Sequence, residues 1–271
     1  LAMTLLVLAF RGPSAFRLTR AQFLTCALTA LLLPAWGNGL VTLGQENVSS
    51  GLAALLIASV PLWIVVLRRA TGDRPRPATF LGVAIGIVGL AVLLLAGASE
   101  GSAGVSGHAW WGPWVVLLAG LGWAVGTFSA TKMATPTNPL TLVAVQMTIG
   151  GLILLAVGFG KGDRLDAGSL PAGTWWAWVY MALIASCLGF SAFAYTLNRL
   201  PVSTVATYAY VNPVIAVLLG VVVVGERFTP LQIVGGLIVV AAVVLVVASE
   251  RRPPAPEPAP ELSDRGDTIR E

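Results

Sequence analysis

The chain has 271 residues, 56% hydrophobic and only 10% charged, with a net charge of +4 and a mean hydropathy of +0.85. A soluble domain carries about 25% charged residues, so a soluble enzyme or binding module is excluded. The apolar residues run in blocks of roughly 20, the thickness of a bilayer core, and not in the ~10-residue alternating strands of a membrane β-barrel.

The expected class is therefore all-α, a polytopic bundle of membrane helices. Residues 1–10 read as a partial span, and eight full spans follow at about 21–44, 48–67, 78–97, 113–133, 139–159, 174–197, 202–224 and 229–249. Ser49 and Ser50 can cap the span after Gln45-Glu46-Asn47. Asn138-Pro139 places a capping residue before a proline at the first helical position. Gly225 and Pro230 bracket a tight turn. The Pro-rich, polar segment 250–271 is expected to be a disordered tail. Cys26 and Cys187 lie inside apolar blocks and read as packing residues, with no disulfide framework. The start, LAMTLLVLAF, lacks the basic region of a cleaved signal peptide.

The basic residues fall in the joints, where topology explains them better than nucleic-acid binding. Arg11, Arg17, Arg20, Arg68, Arg69, Arg74, Arg76, Lys132, Arg199, Arg251 and Arg252 fall on one side of the expected bundle, against Lys161, Arg164 and Arg227 on the other. The positive-inside rule makes the first side, and the C-terminus, cytoplasmic. The Glu46 and Glu226 turns and the 98–112 loop, with Glu100 and His108, then lie outside. An error of one span would scramble this bias.

The two halves resemble one another. A shift of 152 lays Gly37 on Gly189, Ala54 on Ala206, Pro61 on Pro213 and Val65 on Val217. A shift of 153 lays Gly72 on Gly225, Arg74 on Arg227, Pro77 on Pro230 and Gly82 on Gly235. The charge bias puts the paired turns GDRPRP and GERFTP on opposite faces, so the repeats are inverted, as in secondary transporters. The first repeat is read as 1–97 and the second as 113–249. Span 113–133 has no partner in the first half, so the chain is expected to be an N-terminally truncated copy of a five-plus-five, ten-helix protein lacking its first helix and part of its second. A natural eight- or nine-helix protein is the alternative.

The stretches YAYVNPVIAVLLGVVVVGERFTPLQIVGG, GNGLVTLGQENVSSGLAALLIASVPLW and GLGWAVGTFSATKMA resemble the EamA branch of the drug/metabolite transporter superfamily, and within it the YedA-type drug/metabolite exporters. The resemblance covers nearly all of residues 1–249. It implies ten helices, both termini cytoplasmic, a bacterial inner-membrane location, and export of small metabolites, amino acids or amphipathic drugs by alternating access. It leaves the substrate open and implies no cofactor.

Polar groups inside a bilayer are costly, so each needs a reason. Asn38, between two glycines, could bond a polar substrate or simply a neighbouring helix. Trp36 and Trp123 lie deep enough to stack on an amphipathic or cationic substrate. Trp110, Trp111, Trp114, Trp175, Trp176 and Trp178 read as interfacial anchors. Ser129, Tyr208 and Asn212 complete the candidate pathway, with Glu46 at its outer mouth and Gln146 and Tyr195 as further polar residues in spans. Glu226 reads as a solvated turn residue. Pro61 and Pro213 read as paired kinks that bend during gating. Gly82, Gly86 and Gly89 form a close-packing stripe, within the monomer or in a homodimer. An intramembrane enzyme is disfavoured, because the single histidine, His108, lies in a loop and no Asp lies in a span. No metal site is expected, and the expected partners are a small-molecule substrate and the lipid bilayer. A static receptor or scaffold has no need of two opposed halves.

Overall fold

The computed structural model describes residues 2–98, 111–164, 168–189, 192 and 208–250. Among these residues all regular structure is helical. Helix α1 is Ala2–Arg11. Helix α2 runs over Arg20–Gln45, α3 over Ser50–Ala70, α4 over Pro77–Ala98, α5 over Gly112–Lys132 and α6 over Pro139–Gly160. Helix α7 is Ala172–Leu188, α8 covers 208–224 and α9 is Pro230–Glu250. Six of them (α2 to α6 and α9) are long and apolar enough to cross a membrane. The observed ends fall within a few residues of those expected from the apolar blocks. The expected spans 174–197 and 202–224, Trp110, Tyr195 and the tail beyond 250 lie partly or wholly outside the described residues.

Local sequence sets these ends. Thr19 and Gln22 form a reciprocal capping box at the start of α2. Ser49 accepts from the Leu52 N–H at the start of α3, and Asn138 accepts from the Leu140 N–H ahead of α6. Gly72 and Gly225, the paired turn glycines of the two halves, both have positive φ, 92° and 72°, which glycine adopts without strain.

Among the described residues the most extensive helix pairing is α4 against α9. The glycine stripe of α4 makes it possible. A Cβ at Gly89 would sit 2.9 Å from the Val239 backbone nitrogen, and one at Gly82 would sit 2.7 Å from Val246 Cγ2. Gly235 of α9 answers in kind, its Cβ position 3.1 Å from the Leu93 backbone nitrogen. Small residues let backbones approach in lipid, where dispersion replaces the hydrophobic drive. The stripe is thus used within the chain. The main core joins α3, α4, α5 and α9 through Leu52, Leu56, Leu93, Val116, Val239 and Val243, all fully buried. Elsewhere large apolar side chains such as Leu95 and Phe159 face outward, as a lipid-facing surface requires.

Three helices carry a widened, π-type turn, that of α8 lying at Gly220–Val224. In α2 it spans Leu31–Asn38 and contains Pro34. In α7 it spans Met181–Leu188. The repeat shift of 152 lays Pro34 on Ser186. Proline cannot donate to the carbonyl four residues back, and Gly150 of α6 leaves room for the displaced turn: its Cβ would lie 2.3 Å from Pro34 Cγ and 3.1 Å from the Ala30 carbonyl oxygen. The Ser186 hydroxyl instead donates to the Met181 carbonyl, 2.9 Å away, inserting a side chain into the ladder.

Pro61 and Pro213 behave differently from one another. Helix α3 is interrupted at Ala58–Ser59, and Pro61 stands in the first turn of its second segment. The Ser59 hydroxyl donates to the Leu56 carbonyl at 2.6 Å and closes that break. Pro213 is buried inside the helical run Tyr208–Leu219, and the irregular turn comes later, at Gly220–Val224.

Candidate functional site

Two of the deep candidate residues, Trp36 and Trp123, meet where α2 and α5 cross. The crossing rests on two dipeptides, Trp36-Gly37 and Gly122-Trp123, that interlock. A Cβ on Gly37 would lie 1.8 Å from Cδ1 and Nε1 of Trp123, and one on Gly122 would lie 2.2 Å from Cδ1 of Trp36. Each indole therefore occupies the space that the glycine opposite leaves free. Trp123 is twelfth in a 21-residue helix, about 17 Å from its start and near the bilayer centre.

The two indoles end differently. Trp36 Nε1 donates to the Leu118 carbonyl at 3.0 Å, while its ring stays 42% exposed. Trp123 Nε1 is buried and has no acceptor among the described residues. An unpaired buried donor costs roughly 1–3 kcal/mol. Asn38 follows one residue after Gly37 and is exposed, and its amide bonds no other described residue. Its backbone carbonyl accepts from the Thr42 hydroxyl at 2.9 Å, one turn further along α2.

A second polar cluster lies between α1, α2 and α6. Gln146 Nε2 donates to the Thr29 hydroxyl oxygen at 2.6 Å, and Thr29 in turn donates to the Thr25 carbonyl at 2.7 Å. Thr4 and Thr148 share a hydroxyl contact of 2.8 Å across α1 and α6. Buried Thr141 Oγ1 has no partner among the described residues.

The other expected pathway residues do not all converge. Ser129 is half-buried two turns beyond Trp123 on α5, and Glu46 is exposed in the turn after α2. Asn212 is exposed on α8, and Tyr208 opens that helix with its side chain outside the described residues. The structure thus brings Trp36 and Trp123 together, with Asn38 exposed on α2 one residue past the interlocked Gly37. It adds Thr42, Gly37 and Gly122, which the sequence analysis did not single out as a unit. The mirrored order of the dipeptides, WG on one helix and GW on the other, was the available signal.

Both ends of the bundle carry charged ties. At the arginine-rich end, Arg68 donates through Nε to Asp73 at 3.0 Å and also bonds Glu250 at the end of α9. Thr79 donates to Glu250 at 2.7 Å, and Arg76 donates to the Ser249 carbonyl at 2.9 Å. The hydrogen bond from Arg68 holds the Asp73 carboxyl below its ordinary value. At the opposite end, Glu226 is not a free turn residue as expected. Its carboxylate accepts from the Ser50 N–H at 2.8 Å, the Ser50 hydroxyl, and the Gly51 N–H at 3.0 Å. It thereby caps the start of α3.

A bundle of apolar helices with a polar crossing near its centre and ionic ties confined to its ends is the architecture of a polytopic membrane transport protein. The chain belongs to the EamA-like transporter family, which matches residues 1–95 and 110–248. It is 33% identical over 268 residues to the uncharacterized inner membrane transporter YedA of Escherichia coli K12, covering 97% of this chain and 84% of that protein. It is 30% identical over 240 residues to a probable terminal-alkyne amino-acid exporter of Streptantibioticus cattleyicolor, covering 84% and 74%. It is 28% identical over 232 residues to the threonine/homoserine exporter RhtA of Escherichia coli K12, covering 85% and 73%.

Proposed function

We propose that this chain exports small zwitterionic or amphipathic metabolites, amino acids foremost, across a bacterial inner membrane by alternating access. The arginine-rich end and the C-terminus are read as cytoplasmic, and the two matched stretches are read as inverted repeats. The observation that carries the substrate path is the Trp36-Gly37/Gly122-Trp123 crossing, whose Trp123 indole N–H has no acceptor among the described residues, with Asn38 next along α2. An indole face suits an apolar or cationic group, and an N–H with an amide suits a carboxylate. The crossing joins a first-repeat helix to the first helix of the second repeat, where rocking of the halves would alternately expose it. The two relatives with amino-acid exporter names support the substrate class.

The test is efflux from proteoliposomes preloaded with labelled threonine, homoserine, larger aliphatic and aromatic amino acids, and a quaternary ammonium dye. One or more amino acids leave faster than from protein-free vesicles, and Trp123→Phe, which removes the N–H and keeps an aromatic ring, slows that efflux about tenfold. Efflux of every compound at the protein-free rate overturns the reading.

A further inference from the structure

We infer that Glu226 is the latch of the outer gate: its carboxylate holds the extracytoplasmic side shut by fastening the α8–α9 turn of the second repeat to the start of α3 in the first. The inference rests on the transport reading above and concerns a residue outside the polar crossing.

The bond set is larger than a turn needs. Three donors, the Ser50 N–H, the Ser50 hydroxyl and the Gly51 N–H, converge on one carboxylate 175 or 176 residues away in sequence. Hydrogen bonds to an ionised acceptor are roughly twice as strong as neutral ones, and a helix N-terminus favours negative charge. The turn is shaped to deliver that charge. Gly225 takes a left-handed conformation at φ 72°, and the Glu226 N–H closes on the Gly220 carbonyl at 2.9 Å. Two glycines make the seat. A Cβ at Gly220 would lie 2.5 Å from Glu226 Oε2, and one at Gly51 would lie 2.9 Å from the same oxygen and 2.6 Å from Phe228 Cζ.

The other end differs. The repeat shift lays Asp73 on Glu226, yet Asp73 bonds Arg68 of its own hairpin. The cross-repeat bonds of Arg68, Arg76 and Thr79 reach the end of α9, which α4 already grips through its glycines. Of the two turns that the shift pairs, that of Asp73 keeps its acid within its own hairpin, whereas that of Glu226 uses its acid to tie the α8–α9 turn to the start of α3. Opening the outer side requires α3 to part from α8, and these three bonds break as it does.

The test is cysteine accessibility in the full chain, with Cys26 and Cys187 replaced by Ala. Single reporters are placed at Asn38→Cys and Thr42→Cys, one turn apart on the face of α2 that runs from the crossing toward the outer end. Right-side-out vesicles are treated with a membrane-impermeant maleimide. Glu226→Ala raises the external labelling rate at both reporters about tenfold, the population shift expected when bonds to a charged acceptor are lost. Gly220→Ala, whose methyl displaces the carboxylate, does the same, and Ser50→Ala gives a smaller rise of about threefold. If Glu226→Ala does not elute as a single size-exclusion peak, the other two variants carry the test. A helix cap with no gating role leaves the rates unchanged, so equal labelling in every folded variant overturns the latch. Labelling from the cytoplasmic face of inverted vesicles, unaffected by all three variants, overturns the latch and leaves the pathway standing. Labelling from neither face overturns both.

Discussion

Gly37→Ala is the sharpest stability test of the α2–α5 crossing. The new methyl would sit 1.8 Å from two ring atoms of Trp123 and 3.1 Å from a third. Ordinary carbon contacts are about 3.5–4.0 Å, so the indole must move by about 2 Å or the helices must part. The ring is rigid and half-buried, and α5 itself is held in the bundle by its fully buried Val116, Ala119 and Ala124. Overpacking of this kind costs about 1–3 kcal/mol. Gly122→Ala meets Trp36 at 2.2 Å, but that ring is 42% exposed and can swing outward at the expense of its bond to Leu118, so its cost falls at the lower end of that range. Gly151→Ala meets nothing within 4 Å and is the control. The assay is the size-exclusion melting midpoint of detergent-purified protein. The expected order is Gly37→Ala least stable, then Gly122→Ala, with Gly151→Ala within about 0.5 kcal/mol of the parent. Adding Trp123→Ala to Gly37→Ala recovers part of the loss, because the two sites couple. A Gly37→Ala protein as stable as Gly151→Ala refutes the interlock.

Further outcomes follow from the same geometry. Thr29→Val and Gln146→Leu, measured singly and together by reversible unfolding, show a coupling of about 0.6 kcal/mol, the usual size for an interhelical hydrogen bond in lipid; strict additivity contradicts the bond. Asp73 is held below its ordinary carboxyl value by Arg68, so its contribution is full at neutral pH and is lost as pH falls through the lowered value. Asp73→Asn therefore lowers the melting midpoint slightly at pH 7, and the gap to the parent closes as pH falls through the lowered carboxyl value; a gap that persists in acid shows that the pair is not its source. Gly89→Leu, which drives a side chain into the Val239 backbone, splits α4 from α9 and abolishes a single size-exclusion peak, whereas Gly160→Leu, open on every side, does not.

The apolar blocks located the helices because span length is fixed by bilayer thickness, a constraint each block reports by itself. The caps at Ser49 and Asn138 were legible for the same reason, since donor and acceptor lie two or three residues apart. The wide turn at Pro34 was not. The pairing of the halves drew attention to Pro61 and Pro213, whereas Pro34 falls on Ser186, and a proline and a serine widen a helix by different means. Glu226 was read as a solvated acid because its partners are 175 and 176 residues away. Trp36, Asn38 and Trp123 were chosen one by one for their depth. That the first and last interlock through glycines depends on the crossing point of two helices, which no single span encodes.

The measurement that bears most directly on the account is substrate protection at the crossing. Vesicles carrying the Asn38→Cys protein, Cys26 and Cys187 replaced, are first shown to move an amino acid. They are then labelled with maleimide at saturating concentrations of that amino acid and of one they do not move. A pathway through Trp36, Asn38 and Trp123 predicts that only the transported amino acid slows the labelling of residue 38. Equal labelling with both, in vesicles that transport, contradicts it.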